Sequence, residues 1–464
     1  MSMRERQWGR AGAVPILIVV MLASLALPQA ITKFAETIGV DFYNFWGVPV
    51  ARRLTDATLG TPYSQGERYQ TALKQYATAV NQPRLHAVQR FWSAPDYTGS
   101  PLLYQAFGLV SYDYTVSLAV FRGLQILAFL GACVLLGSLY RFDPFYPLCF
   151  ALISLLLYQP LLSDLRVGNL GCLQLAALAA LTGLAGALPR VPALAWRAGL
   201  AAVFFIALAA LTLCKPNVAL VSVLLAVHLA VRHGTRLFVR AAVPAAVVTV
   251  LLIVAPCLYF GTWTVWLEWF RFVYGANPAM LVRPIASGNY STPLFVSTWT
   301  GASVSLIAAV LFVLLLASLA VIRRPDPLSR ATRPALETIP ATFKRLFHEP
   351  HAAVAIGILI PTAASPLSWL HYYMLLVIPS LWLLNASGAW RAVPPLAAAS
   401  LAMSAGILGM LLWALGWPNA MPATIALSWI PLWGALLLGL RSPDAPVEAP
   451  TSDGRASRPR RPRK

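Results

Sequence analysis

One acidic side chain stands among aromatic residues shortly after the first apolar run of the chain. Asp41 follows Val40 and precedes Phe42 and Tyr43, with Trp46 a little over one helical turn further on. A carboxylate held at a membrane surface could accept the proton of a hydroxyl group that a lipid or glycan brings there. The alternative is a solvated loop acid beside aromatic residues of the membrane interface.

Two cations at the ends of later apolar runs are candidate phosphate contacts. Lys215 directly precedes Pro216, which can open a helix, and a cation beside free backbone N–H groups suits a phosphate. Arg166 lies with Asp164 and Asn169 in a short polar turn. The alternatives are a lysine that reaches the head groups and a capped turn closed by an Asp/Arg pair.

Two further polar segments offer amide, imidazole and aromatic groups. Asn289 lies in a stretch rich in serine, whose amide and hydroxyl groups suit a sugar, although an ordinary turn has the same composition. Trp369, His371 and Tyr372 lie where another apolar run begins. A histidine at that place is either a functional group or a structural one.

The composition excludes an ordinary soluble domain. Of 464 residues, 58% are hydrophobic and 11% are charged, and the mean hydropathy is +0.68. Because about 20 apolar residues cross a bilayer as a helix, and because backbone exposed to lipid must satisfy its own hydrogen bonds, we predict an all-α polytopic membrane protein. The five cysteines lie in or beside apolar runs and indicate neither a disulfide framework nor a metal site.

The apolar runs predict about twelve membrane-spanning helices in a single membrane-embedded domain over residues 1–440. Eleven spans or a re-entrant segment remain alternatives. The first run follows Arg4, Arg6 and Arg10, as in a signal peptide or an uncleaved span, and we expect a retained anchor that holds Asp41 at the membrane. Two long outer loops are predicted, at about 32–115 and 262–302, and the first is expected to carry short surface helices.

The formal net charge of +19 is distributed unevenly along the chain. If the N-terminus is cytoplasmic and the spans alternate, most of the 35 basic residues lie on the cytoplasmic side, which the positive-inside rule favours. This topology places both termini on the cytoplasmic side of the cytoplasmic membrane and the polar segments on its outer face. Residues 441–464 are rich in Pro, Arg and Ser and predict a disordered basic tail. The charge indicates membrane lipids, not nucleic acid, as partners.

Seven short motifs occur in order along the chain: Asp41-Phe42-Tyr43, Leu59-Gly60-Thr61-Pro62-Tyr63, Tyr97-Thr98-Gly99-Ser100-Pro101-Leu102, Gly168-Asn169, Lys215-Pro216, Asn289-Tyr290-Ser291 and Ser365-Pro366-Leu367-Ser368-Trp369-Leu370-His371-Tyr372. Together they resemble glycosyltransferase family 87, membrane enzymes of the GT-C fold similar to polyprenyl-phosphate-mannose-dependent mannosyltransferases. The resemblance runs from about residue 40 to 390. It departs from the family pattern in two motifs: Asn169 stands where the family usually has glutamine, and Gly99-Ser100-Pro101 stands where it has Tyr-Pro-Pro.

The resemblance implies a hexosyltransferase that moves a sugar, a hexose such as mannose, from a polyprenyl-phosphate donor to a lipid or glycan acceptor with inversion. We assign the base to Asp41. The expected substrate-binding residues are Lys215 and Arg166 at the phosphate, His371 at the phosphate or sugar, and Asn169, Asn289, Trp369 and Tyr372 as further donors or stacking partners. No acidic cluster suggests a metal, and no cofactor is expected.

Two other classes of protein share parts of this pattern. A transporter or lipid flippase also carries polar residues within its spans, but the sequence has no evident inverted repeat and its polar residues gather at one membrane face. A non-catalytic scaffold of envelope assembly is the third alternative. In a scaffold, the phosphate-contact candidates could be replaced without loss of function.

Overall fold

The computed structural model describes residues 13–55, 59–91, 96–275, 288–321, 349–385, 391–417 and 420–441. Within these ranges the chain is helical, and the only extended pairing is an isolated antiparallel bridge between Asn289 and Trp369. The predicted tail, most of the basic loop before Glu349 and part of the second predicted outer loop lie outside the described residues.

The helices of the N-terminal half include long apolar ones and, between the first two of these, four shorter and more polar ones. They are α1 Ala13–Ala35, α2 Val40–Leu54, α3 Gly66–Ala79, α4 Pro83–Phe91, α5 Pro101–Ala106, α6 Tyr114–Leu139, α7 Phe145–Leu157, α8 Gln159–Val167, α9 Gly171–Ala187 and α10 Leu194–Cys214. The remaining helices are mostly apolar: α11 Ala219–His233, α12 Thr235–Phe260, α13 Val265–Phe270, α14 Thr292–Thr300, α15 Val304–Val321, α16 Pro350–Ala364, α17 Val377–Leu384, α18 Val393–Ser404, α19 Ile407–Ala414, α20 Ala420–Ala426 and α21 Trp429–Arg441.

Several of these helices are long and apolar enough to cross a membrane. By length and composition there are six such segments in the described part of the chain, or up to eight if each bent pair of helices counts as one span. The bent pairs are α7 with α8, at 63°, and α18 with α19, at 66°. The prediction of an all-α membrane protein is therefore confirmed at this level, whereas about twelve spans and the GT-C type remain predictions.

The buried side chains form two clusters. The larger one fills the space between the apolar helices. The smaller one joins the segment from α2 to α5 to the ends of α6 and α12, with Trp46, Leu73 and Tyr104 fully buried inside it. Two short helices, α3 and α4, are thus present in the first predicted outer loop, and their position at the membrane surface stays a prediction. In addition, the Asp41 segment, expected as loop, is the start of a buried helix.

One end of the helix bundle, called the site end here, gathers the termini of five helices. α8 ends and α9 begins there. The two termini are joined by Asp164 of α8, which accepts hydrogen bonds from the first backbone N–H groups of α9. α10 ends and α11 begins there, on either side of Lys215. α2 begins there with Asp41 in its first turn. Residues far apart in sequence therefore meet at this end.

Two glycines let these termini approach one another. Gly39, which precedes α2, and Gly168, which follows α8, have φ angles of 71° and 70°, a left-handed conformation that favours glycine. A Cβ atom on Gly168 would lie 2.7 Å from the Cβ of Phe42. The turn that carries Asn169 can therefore lie directly against the first turn of α2.

A third glycine sets the spacing of two apolar helices. A Cβ atom on Gly357 of α16 would lie 2.6 Å from the Cα of Val221 on α11, which only a backbone shift can relieve. We expect Gly357→Ala to lower the free energy of unfolding by about 1–3 kcal/mol, as overpacking does elsewhere. Thermal denaturation in detergent measures this, with Gly199→Ala as the control because no atom lies within 4 Å of a Cβ there. Equal melting temperatures for the two variants would contradict the close approach.

Candidate functional site

Asp41, Asn169 and Lys215 form a hydrogen-bonded chain at the site end. The Asn169 Nδ2 donates to Asp41 Oδ2 over 2.5 Å, and the Lys215 Nζ donates to Asn169 Oδ1. The backbone N–H of Leu170 also donates to Asn169 Oδ1, over 2.6 Å. Because Oδ1 faces these two donors, the amide must turn its NH₂ group toward Asp41. Asn169 thus separates the carboxylate from the ammonium group and keeps them from forming a direct ion pair.

The half-buried carboxyl group of Asp41 is only partly hydrated. Desolvation raises its pKa from 3.8 to about 6, and the hydrogen bond from Asn169 and the charge of Lys215 lower the pKa by smaller amounts. Asp41 Oδ1 has no hydrogen-bond donor within the described part of the chain. This oxygen is free to take a proton, and its pKa suits a base near neutral pH.

Lys215 lies between two apolar segments, in the extended conformation that the following proline favours. Desolvation lowers the pKa of its ammonium group to about 8, although the charges of Asp164 and Asp41 oppose this shift. The Nζ atom lies 5.1 Å from the centre of the Tyr372 ring. The ammonium group is therefore held by an amide oxygen and an aromatic face, neither of which neutralises its charge.

His371 packs beside this group. Its ring meets the Tyr372 ring edge-on, with centroids 4.8 Å apart, and it lies within electrostatic range of Lys215. The side chain is 5% exposed, and its Nε2 has no hydrogen-bond partner in the described ranges. A buried ring nitrogen without a partner is unusual and fits an atom that binds a ligand. Five predicted site residues, Asp41, Asn169, Lys215, His371 and Tyr372, thus lie together.

Asp164 holds the backbone next to the site in place. Its carboxylate accepts hydrogen bonds from the backbone N–H groups of Gly171 and Cys172, both at 3.0 Å, and from Gln125 Nε2 at 3.1 Å. Gln125 also donates to the carbonyl of Asn169 at 2.6 Å. The local Asp/Arg pair considered for this turn is not formed. Instead, Asp164 caps α9 and fixes the backbone on which Asn169 stands.

Ser100, which lies in the third of the short motifs, supports Lys215. Its hydroxyl donates to the carbonyl of Cys214 over 3.1 Å and accepts from the backbone N–H of Leu103. It therefore caps α5 and also holds the last residue of α10. Since Cys214 immediately precedes Lys215, the segment between α4 and α5 helps to place the ammonium group.

Asn289 and Trp369 lie in two paired segments near the site. The Asn289 Oδ1 accepts from the backbone N–H groups of Ser291 and Ser368, and its Nδ2 donates to the carbonyl of Pro366. Asn289 is fully buried, so its amide is occupied by the protein, and this favours a supporting role over sugar binding. Trp369 remains partly exposed beside Gly288.

Arg166 does not join Lys215. Its exposed side chain lines a separate cleft of about 180 Å³ with Lys33, Thr37, Tyr290 and other residues. The structure therefore does not bring Arg166 and Lys215 into one cleft, and their positions do not support the expected grouping at one phosphate. The reason is local: Gly168 turns the chain between Arg166 and Asn169, so that these two side chains serve different spaces.

Arg122 lies in the third turn of α6, where a cation in an apolar helix could suggest a phosphate or lipid contact, but its contacts are structural. Its buried guanidinium donates to the carbonyls of Phe34, Thr37 and Leu165 and to the Thr37 hydroxyl, the last at 2.6 Å. These contacts join the end of α1 to the end of α8. Each nitrogen of the guanidinium has at least one oxygen partner in the protein, which favours a structural role for Arg122 over a phosphate contact.

Asp96 is a neighbour of the site that the motifs did not indicate. Its charge acts on Asp41, and its backbone N–H donates to Asn44 Oδ1 over 2.9 Å. The position lies directly before Tyr97, where the third motif begins, but a single acidic residue in a polar loop carries no signal of its own.

Comparisons with known proteins add no family. No protein-family model matches the chain, and no curated protein matches it either. Among the described residues, no group of three or more His, Cys, Asp or Glu side chains is arranged to hold a metal ion. The expectation of a metal-free site stays a prediction.

Proposed function

We propose that the protein is an inverting glycosyltransferase that moves a sugar, with mannose as the first candidate, from a polyprenyl-phosphate donor to a hydroxyl of a lipid or glycan acceptor. The observation that carries this proposal is the Asp41–Asn169–Lys215 chain. It presents a carboxylate with one free oxygen beside an ammonium group that no carboxylate neutralises directly. These are the two groups that the reaction requires.

The reaction exchanges one C–O bond for another. The acceptor oxygen attacks the anomeric carbon from the side opposite the phosphate, and the bond from that carbon to the phosphate oxygen breaks. The hydroxyl proton passes to Asp41 Oδ1 as the new bond forms. The departing polyprenyl phosphate gains negative charge, which Lys215 stabilises. The Nε2 of His371 is available as a further contact to the sugar or phosphate.

The arrangement of helices supports an outer-face site. The 45-residue apolar segment Pro216–Phe260 begins at the site end and is interrupted at Gly234, and Phe260 packs in the smaller buried cluster, which supports counting the segment as two spans. With this segment counted as two spans, the six long segments of the described chain give seven spans and the two bent pairs add one each. Three shorter apolar helices, Val304–Ala320, Pro350–Ala364 and Leu370–Leu384, add one span each, which makes twelve. Arg141, Arg190 and Arg232 then lie at the end opposite the site, as the positive-inside rule expects of the cytoplasmic side.

The two shifted pKa values predict a bell-shaped dependence of kcat/KM on pH. Asp41 must be ionised to accept a proton, so activity rises as pH increases through about 6. Lys215 must be protonated to stabilise the phosphate, so activity falls as pH increases through about 8. Lys215→Arg should remove the alkaline fall and leave the acidic limb in place, because arginine stays charged. An alkaline limb that persists in this variant would assign it to another group.

The function is tested by sugar transfer with purified protein in liposomes. A panel of polyprenyl-phosphate sugars is supplied together with a lipid extract of the source cell, and product and released polyprenyl phosphate are both measured. Product from one donor supports the proposal and identifies the sugar. Movement of the intact donor from one leaflet of the liposome membrane to the other, without release of polyprenyl phosphate, would indicate a flippase instead.

A further inference from the structure

A cleft that the proposed reaction does not use lies beside the last turn of α1. It has a volume of about 180 Å³ and lies between α1, α8 and α20, with Tyr290 and Leu370 also lining it. Two cations, Lys33 and Arg166, stand on its walls beside apolar side chains such as Leu162 and Met421. No Asp or Glu of the described ranges lines it. The lining thus combines positive charge with apolar surface.

Neither cation is neutralised by the protein. In the described part of the chain, the side chains of Lys33 and Arg166 form no ion pair and no hydrogen bond. The acid nearest to Lys33 in sequence, Glu36, is exposed and does not line the cleft. The phenol of Tyr290 lies within electrostatic range of Arg166. Two uncompensated cations on one cleft favour an anionic occupant.

The depth of the cleft indicates what kind of anion reaches it. Lys33 lies in the last turn of α1, whose apolar segment, Val14–Ala35, contains a window of 18 residues of which only 11% are buried. Its side chains, including Leu25 and Ile31, are mostly exposed and therefore face lipid. A lysine at the end of such a helix lies at the level of the lipid head groups. A lipid beside α1 can therefore bring its phosphate to Lys33.

We propose that this cleft binds the phosphate of an anionic phospholipid, with Lys33 and Arg166 as its two cationic contacts. The acyl chains would lie along the exposed face of α1. The sugar donor is the less suitable occupant, because its phosphate is needed beside Lys215, and neither Lys215 nor Asp41 lines the cleft. The cleft is separate from the residues of the proposed transfer reaction, and only the choice of a phospholipid over the sugar donor rests on the proposed function.

The test measures lipid bound to the full-length protein. Purified protein is exchanged into mixed micelles of phosphatidylglycerol and phosphatidylcholine, and retained lipid is counted by native mass spectrometry. We expect wild type to retain phosphatidylglycerol preferentially and K33Q/R166Q to bind it about tenfold more weakly. The control variant is K74Q/R90Q, which removes two exposed basic residues from a different groove, on α3 and α4. It should retain phosphatidylglycerol as wild type does.

Each contrary outcome overturns the proposal. Equal retention by wild type and K33Q/R166Q would show that the cleft holds no such lipid, and an equal loss in K74Q/R90Q would show general attraction to positive charge. If an equal concentration of polyprenyl phosphate displaced phosphatidylglycerol, and phosphatidylcholine at that concentration did not, the cleft would be assigned to the donor. Lipid retention and the melting temperature are also measured for the single variants K33Q and R166Q. A variant that melts at the wild-type temperature but retains less phosphatidylglycerol has lost binding and not folding. Since no sugar transfer is measured, failure of the transferase proposal leaves this test readable.

Discussion

Asp41→Asn is expected to lower kcat for sugar transfer by about 10²–10⁴-fold, the usual contribution of a general base. Asparagine keeps the shape of the side chain, but its amide cannot accept the hydroxyl proton. The raised pKa of Asp41, about 6, makes the loss greatest near neutral pH, where the wild-type carboxylate is ionised. Steady-state transfer assays with the donor identified from the panel measure the change.

The control for this variant is Glu36→Gln, which removes an exposed carboxylate five residues before Asp41. It should transfer sugar at the wild-type rate, because Glu36 makes no contact with the site. Both variants should melt at the wild-type temperature to within a few degrees. Normal turnover by folded Asp41→Asn would refute Asp41 as the base, while release of polyprenyl phosphate without product would show that water replaces the acceptor in that variant.

The extent of the helices could be predicted well from the sequence. The apolar run at about 116–139 corresponds to the helix Tyr114–Leu139, and the apolar run at about 196–213 corresponds to the helix Leu194–Cys214. Apolar runs report local composition, and a membrane-spanning helix requires little else. The helix Val40–Leu54 was missed because polar and apolar residues alternate in it and its burial depends on partners far away in sequence.

The partners within the site were harder to predict for the same reason. The motifs brought Asp41, Lys215, His371 and Tyr372 correctly to one place, since each lies at the same end of an alternating set of helices. Arg166 was misplaced, because one left-handed residue, Gly168, decides which space it enters. The amide of Asn169 was expected to meet substrate, yet the backbone N–H of Leu170 fixes it as a bridge between two charged groups.

The interactions of Lys215 lead to the second large expected effect. The phosphodiester of the donor carries one negative charge, and the leaving phosphate gains a second as the bond to the anomeric carbon breaks. A cation at this place therefore binds the transition state more strongly than the bound donor. We expect Lys215→Gln to lower kcat by about 10²–10³-fold, as loss of one stabilising donor does elsewhere, with a smaller change in KM.

Glutamine is the informative replacement at this position. It removes the charge but keeps a polar side chain, and the backbone N–H of Leu170 still holds Asn169 Oδ1, so the orientation of Asn169 toward Asp41 should be kept. Lys74→Gln, an exposed lysine on α3, is the matched control and should leave kcat unchanged. A large rise in KM with kcat retained would mean that Lys215 only holds the donor in place. Wild-type values of kcat and KM would place the phosphate elsewhere. The proposed role of Lys215 as the contact to the leaving phosphate, opposite the base Asp41, would then be wrong.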